Sequence, residues 1–117
     1  MTVQADIKTA IGSLVAGRVY PNVGKQGGAK PYLTYQQVGG VPVNFLTGVP
    51  DKRNGRFQIN AWAETDDAAS ALIRQVEDAV RLSTTLMATT EGGAVATYES
   101  DTKLHGYRQD FSIWFQA

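Results

Sequence analysis

The chain has 117 residues, 43% of them apolar and 19% charged, a composition that fits one globular domain spanning 1–117 and argues against wholesale disorder. Its 11 basic and 11 acidic residues balance, whereas a generic nucleic-acid binder carries a basic excess to neutralise phosphates, so free DNA or RNA is not an expected ligand. With 0 cysteines there is no disulfide framework, thiolate zinc site or cysteine nucleophile, and the apolar runs fall far short of the ~20 residues of a membrane span.

Met1-Thr2-Val3-Gln4-Ala5-Asp6 has neither a basic n-region nor an apolar h-region, so no signal peptide is expected and the chain should stay in the cytoplasm unless something larger carries it out. Val3, Ile7, Ala10, Ile11, Leu14 and Val15 share one helical stripe, which predicts a first helix from about Thr2 to Ala16 with Gly17 at a left-handed cap. Arg18-Val19-Tyr20-Pro21 reads as a short extended piece, Asn22 to Lys30 as a glycine-rich loop, and Tyr32 to Val38 as a strand that Gly39 and Gly40 end. Residues 39–54 combine glycine and two prolines (Pro42, Pro50) with Val41, Val43, Phe45, Leu46 and Val49. That is too apolar for a plain solvent loop, and a connection this long is usually functional or mobile. An interaction arm carrying Val43, Phe45 and Leu46 is one reading and a self-packed loop the other.

A strand beginning near Gly55 follows, and its natural partner is the Tyr32 strand, with the loop at the hairpin tip. Phe57, Ile59 and Ala61 should face the core, leaving Arg56, Gln58, Asn60 and Trp62 on the outer face. Thr65 is a good N-cap, Asp66 and Asp67 suit the positive end of a helix, and Ala69, Leu72, Ile73, Val76 and Val80 mark its buried stripe to about Ser83. Glu77 and Arg81 form a favourably ordered pair on its exposed side. Glu91-Gly92-Gly93 is a turn, Ala94 to Glu99 a strand, and Ser100 to Gly106 holds the next turn. In the last strand Phe111, Ile113 and Phe115 face the core, with Arg108, Asp110, Ser112 and Trp114 outside.

This order predicts an α+β two-layer fold, a mainly antiparallel sheet of about four to five strands with two helices packed on one face. The other sheet face is then uncovered, and Trp62 and Trp114 sit on it. Large indoles among polar neighbours mark a protein contact, so Trp62, Trp114, Arg56 and Arg108 are candidate interface residues. The competing reading tucks an aromatic under its own chain, with the 39–54 loop over Trp62, and gives Arg56 and Arg108 acidic partners across the sheet such as Asp110.

Catalytic chemistry finds no support. His105 is the single histidine, too few for a transition-metal site or an assignable triad. Asp66 and Asp67 are adjacent and already explained by the helix start. Gly24-Lys25 is followed by Gln26 where a phosphate loop needs Ser or Thr, and no serine sits in a G-x-S-x-G elbow. No catalytic, cofactor-binding or metal-binding residue is expected, and no cofactor.

Four segments, Arg18-Val19-Tyr20-Pro21, Lys30-Pro31-Tyr32-Leu33-Thr34-Tyr35, Arg56-Phe57-Gln58-Ile59-Asn60-Ala61-Trp62-Ala63 and Tyr107-Arg108-Gln109-Asp110-Phe111-Ser112-Ile113-Trp114-Phe115, occur in an order that resembles the tail completion, or tail terminator, proteins of long-tailed bacteriophages and prophages, also found in gene transfer agents. The resemblance implies an α+β structural virion protein without catalysis. It further implies a ring, typically of six subunits, at the head-proximal end of the tail tube. Its implied partners are other copies of the chain, the tail tube protein and the head-tail connector protein. The alternatives are a head-tail connector of the same virion and a small-molecule-binding α+β domain.

Overall fold

In the computed structural model, which describes residues 2–21, 29–40, 52–100 and 103–116, Thr2 opens helix α1 (Val3–Ile11) by accepting the Ala5 N–H on its hydroxyl at 3.1 Å. The helix is shorter than its apolar stripe. From Gly12 to Val15 the chain tightens into a 3-10 turn, where a residue without a Cβ weakens the α conformation. The left-handed step expected at Gly17 begins one residue earlier, at Ala16 (φ 51°), and continues through Gly17 (φ 81°). Gly17 N–H donates to the Gly12 carbonyl at 2.8 Å and closes the end.

Strand β1 (Val19–Pro21) leads across residues 22–28, which lie outside the described residues, to β2 (Tyr32–Gly39). Residues 41–51, and with them Val43, Phe45 and Leu46, also lie outside the described residues. Strand β3 (Lys52–Ala63) is longer than expected and starts before Gly55. Helix α2 (Asp66–Leu82) starts as predicted: Thr65 accepts the Ala68 N–H at 3.1 Å, and Asp66 and Asp67 stand in the first turn. Strands β4 (Thr89–Thr90), β5 (Val95–Glu99) and β6 (Leu104–Gln116) complete the order.

Among the described residues six strands form one sheet, in the order β1-β2-β3-β6-β4, with β5 also pairing β6. All pairs are antiparallel except β1 with β2, which is parallel. The sixth strand, beyond the four to five expected, is β4, whose two residues carry no readable alternation. β2 and β3 form the expected antiparallel pair.

One face of this sheet is the core. Leu33, Tyr35, Phe57, Ile59, Ala61, Phe111 and Ile113 pack against Val3, Ile7, Ile11 and Val15 from the first helical segment and Leu72, Ile73, Val76 and Val80 from α2. Both helices therefore lie on the same side, which makes the two-layer α+β arrangement. Polar groups at the margin are tied down. Buried Gln109 donates through Nε2 to Glu77 Oε1 at 2.7 Å and to the Gly92 carbonyl at 3.1 Å. Glu77 lies 3.7 Å from Arg81 as its spacing suggests, but its carboxylate also reaches the sheet.

Candidate functional site: the open sheet face

Alternation puts the even-numbered residues of β2, β3 and β6 on the face away from the helices, and register decides which of them meet. Tyr32 stands opposite Trp62 and Trp62 opposite Gly106; Gln36 opposite Gln58 and Gln58 opposite Asp110; Arg56 opposite Ser112; Asn54 opposite Trp114.

The middle of the face is a chain of polar contacts. Gln36 Nε2 donates to Gln58 Oε1 at 3.4 Å, and Gln58 Nε2 donates to Asp110 Oδ1 at 3.2 Å. Arg56 Nε donates to Asp110 Oδ2 at 2.8 Å, while Asn54 Nδ2 donates to Ser112 Oγ at 2.7 Å. Arg56 thus takes the acidic partner that alternation offered it. Arg108 does not: it is exposed, opposite Asn60 and Val95, and ion-pairs with no acid among the described residues.

The two tryptophans share the face but occupy opposite ends. From Gly106, which faces Trp62, to Trp114 is eight residues along β6, roughly 26 Å at the strand rise of ~3.3 Å. Trp62 is half-buried, and among the described residues its own sheet covers it. Its indole Nε1–H donates to Thr34 Oγ1 at 3.3 Å, and a Cβ at Gly106 would stand 2.8 Å from Trp62 Cε3 and Cζ3 and 2.9 Å from Thr97 Cγ2. The ring therefore lies directly on the Gly106 backbone, where only glycine leaves room.

Two further aromatics join Trp62 at that end. Tyr20 and Tyr32 have ring centroids 5.9 Å apart, and burial, then the Glu99 charge and Tyr20, raise the Tyr32 phenol above its ordinary pKa. Alternation within β2 placed Tyr32 on one of two faces; only its pairing with Trp62 makes the cluster visible. Trp114, half-buried, belongs to the other end, where its backbone N–H donates to the Leu86 carbonyl at 3.1 Å.

Elsewhere His105 lies in β6 rather than in a turn, half-buried with its ring 4.9 Å from that of Tyr98. Among the described residues no group of three or more His, Asp or Glu side chains could hold a metal ion, and no helix is long and apolar enough to cross a membrane. A cleft of about 340 Å³ is lined by Lys30, Pro31, Ala63, Glu64, Thr65 and Ala68. The Thr65 hydroxyl is already engaged in capping α2.

The model of the tail completion protein gp17 family matches residues 3–116. The chain belongs to this family. The four segments that carried the resemblance prove to be β1, β2, β3 and β6, four consecutive neighbours in the sheet. The first two are tied by Arg18, whose Nε donates to the Pro31 carbonyl at 2.8 Å. Among solved structures, a chain of the virion of a native gene transfer agent particle is similar in fold, with TM-score 0.70 at 18% identity over 98% of this chain and 95% of that one. A second solved chain has TM-score 0.52 at 15% identity, covering 100% of this chain and 99% of its own. A search of curated protein sequences gave no significant match.

Proposed function

We propose that this chain is a structural virion protein that forms a ring of six copies at the head-proximal end of a phage tail tube, ends tube polymerisation there and joins tail to head. Membership of the tail completion family over residues 3–116 carries the reading. The balanced charge agrees with it, because a ring through which DNA passes should not hold the phosphates. Its partners are further copies of itself, the tail tube protein and the head-tail connector protein. It acts without catalysis, in the host cytoplasm during assembly and then in the virion.

A closed ring needs two different patches on each subunit. The open sheet face supplies one, with exposed Arg108 and half-buried Trp114 offered to a neighbour and Arg56 and Trp62 held at its centre and far end. Val43, Phe45 and Leu46 are the proposed second patch, on the ground of their apolar character in a long connection.

The decisive experiment mixes the purified protein with polymerising tail tubes and images them by electron microscopy. Capped tubes of limited length are expected, and unchanged lengths with bare ends would overturn the reading. Binding to isolated head connectors with no effect on tubes would instead identify a connector.

A further inference from the structure

The two edges of the sheet are not equivalent. At one edge β1 is three residues long, the Val19 N–H is donated to the Gly17 carbonyl at 2.9 Å, and Pro21 has no N–H, so an incoming strand finds few donors. At the other edge β5 runs beside β6, and the phase of that ladder follows from its neighbours. Glu91 N–H donates to the Asp110 carbonyl at 2.9 Å and Trp114 N–H to the Leu86 carbonyl at 3.1 Å. The even-numbered residues of β6 therefore turn their backbone groups away from β3. Pairing of β6 with β3 runs without a register shift from Lys52↔Gln116 to Ala63↔His105, so the same phase holds down to Leu104.

Leu104, Gly106 and Arg108 accordingly bond to their partners Glu99, Thr97 and Val95. Ala96 and Tyr98 are left with N–H and C=O turned outward, and among the described residues neither amide donates a hydrogen bond. The edge is lightly guarded. Val95-Ala96-Thr97-Tyr98-Glu99 carries a single charge, at its end, and no lysine or proline, its register with β6 is unbroken, and Val95 and Tyr98 are 50% and 54% exposed.

We propose that the β5 edge accepts an extended segment of a neighbouring virion protein, which adds to the sheet as a further strand bonded to Ala96 and Tyr98. Backbone complementarity supplies the bonds, and apolar side chains of the segment lie beside Val95 on the open face and Tyr98 on the other. The β1 edge of a second copy is a poor donor, because Val19 and Pro21 offer no free N–H. Pairing of β5 with β5 of a second copy makes a two-fold dimer, which does not propagate a ring. This choice of donor rests on the tail reading; the open edge does not.

Ala96→Pro isolates the effect, since it removes an outward N–H and leaves the bonds of Val95, Thr97 and Glu99 to β6 in place. The variant should keep the wild-type circular dichroism spectrum and melting temperature but enter tails at least about tenfold less well. In parallel, hydrogen exchange on the wild-type full chain should show the Ala96 and Tyr98 amides exchanging fast when free and at least about tenfold more slowly in assembled tails. Equal incorporation of Ala96→Pro, or unchanged exchange of both amides in tails, overturns the proposal. Protection of both amides in a dimer of the free chain overturns it in favour of β5 pairing with itself. If the wild-type chain never enters tails, the tail reading fails and this donor fails with it.

Discussion

Gly106→Ala is the sharpest probe of the open face, because it strikes the one place where Trp62 lies on backbone. The new methyl would stand 2.8 Å from two indole carbons and 2.9 Å from Thr97 Cγ2, while carbon atoms pack best at ~3.5–4.0 Å. The ring must therefore lift by roughly 0.7–1.2 Å. Doing so stretches a bond to Thr34 that is already 3.3 Å long. That bond is worth about 1 kcal/mol, and crowding adds about 1–3 kcal/mol. The reduced freedom of alanine in the unfolded chain returns about 0.4–1 kcal/mol. A net loss of about 1–4 kcal/mol is expected, lowering the melting temperature by roughly 3–6 °C for each kcal/mol in a chain of this size. In a Trp62→Ala background the indole is gone and only the Thr97 methyl still stands in the way, so Gly106→Ala should cost clearly less there than in the wild type. The assay is urea unfolding followed by far-UV circular dichroism for wild type, both single variants and the double variant. Effects that add to within about 0.5 kcal/mol would refute the contact. Trp62→Ala thus has a folding consequence of its own, and Trp114→Ala is the better probe of assembly.

Three further outcomes are expected. Thr65→Ala should cost about 1 kcal/mol by uncovering the first turn of α2, whereas Thr65→Ser should restore most of it in chemical denaturation. Asp110→Asn weakens the contacts with Arg56 and Gln58; because the Arg56 side chain is 47% exposed, the loss should be about 0.5–1 kcal/mol and should shrink further near 1 M salt. The hydrogen bond to the Asp66 carboxylate, with burial and the Asp66 charge behind it, raises the Tyr107 phenol above 10.0. The folded state thus holds that proton more tightly, so its contribution is complete below the unfolded value and is lost as pH rises through the folded one. Wild type should lose stability more steeply than Tyr107→Phe above about pH 10 and run parallel to it below about pH 9. Parallel curves across the alkaline range would contradict the bond.

Much of the fold was legible because its signals are local. Thr65, the two aspartates and the stripe from Ala69 to Val80 describe α2 within one contiguous stretch. Phe57, Ile59 and Ala61, like Phe111 and Ile113, alternate strongly enough to identify their buried face. The exceptions have local causes too. Gly12 loosens α1 into a 3-10 turn, and Thr89–Thr90 is too short to carry a period. No local pattern ties Tyr20 and Tyr32 to Trp62, because three separate strands bring them together.

Alternation alone turns Trp62 and Trp114 away from the helices, since a strand residue's face follows from its neighbours two positions away. The residues that fill the core and those that mark the family are likewise written along the chain. What the two tryptophans touch depends on how the strands pair. The pairing of β3 with β6 sets Trp62 over Gly106 and Trp114 against Asn54, at opposite ends of one face, and it turns the Ala96 and Tyr98 backbone outward at the edge. Such pairings join segments more than forty residues apart, and their register is settled by how whole strands and helices share one core rather than by any pattern within a strand.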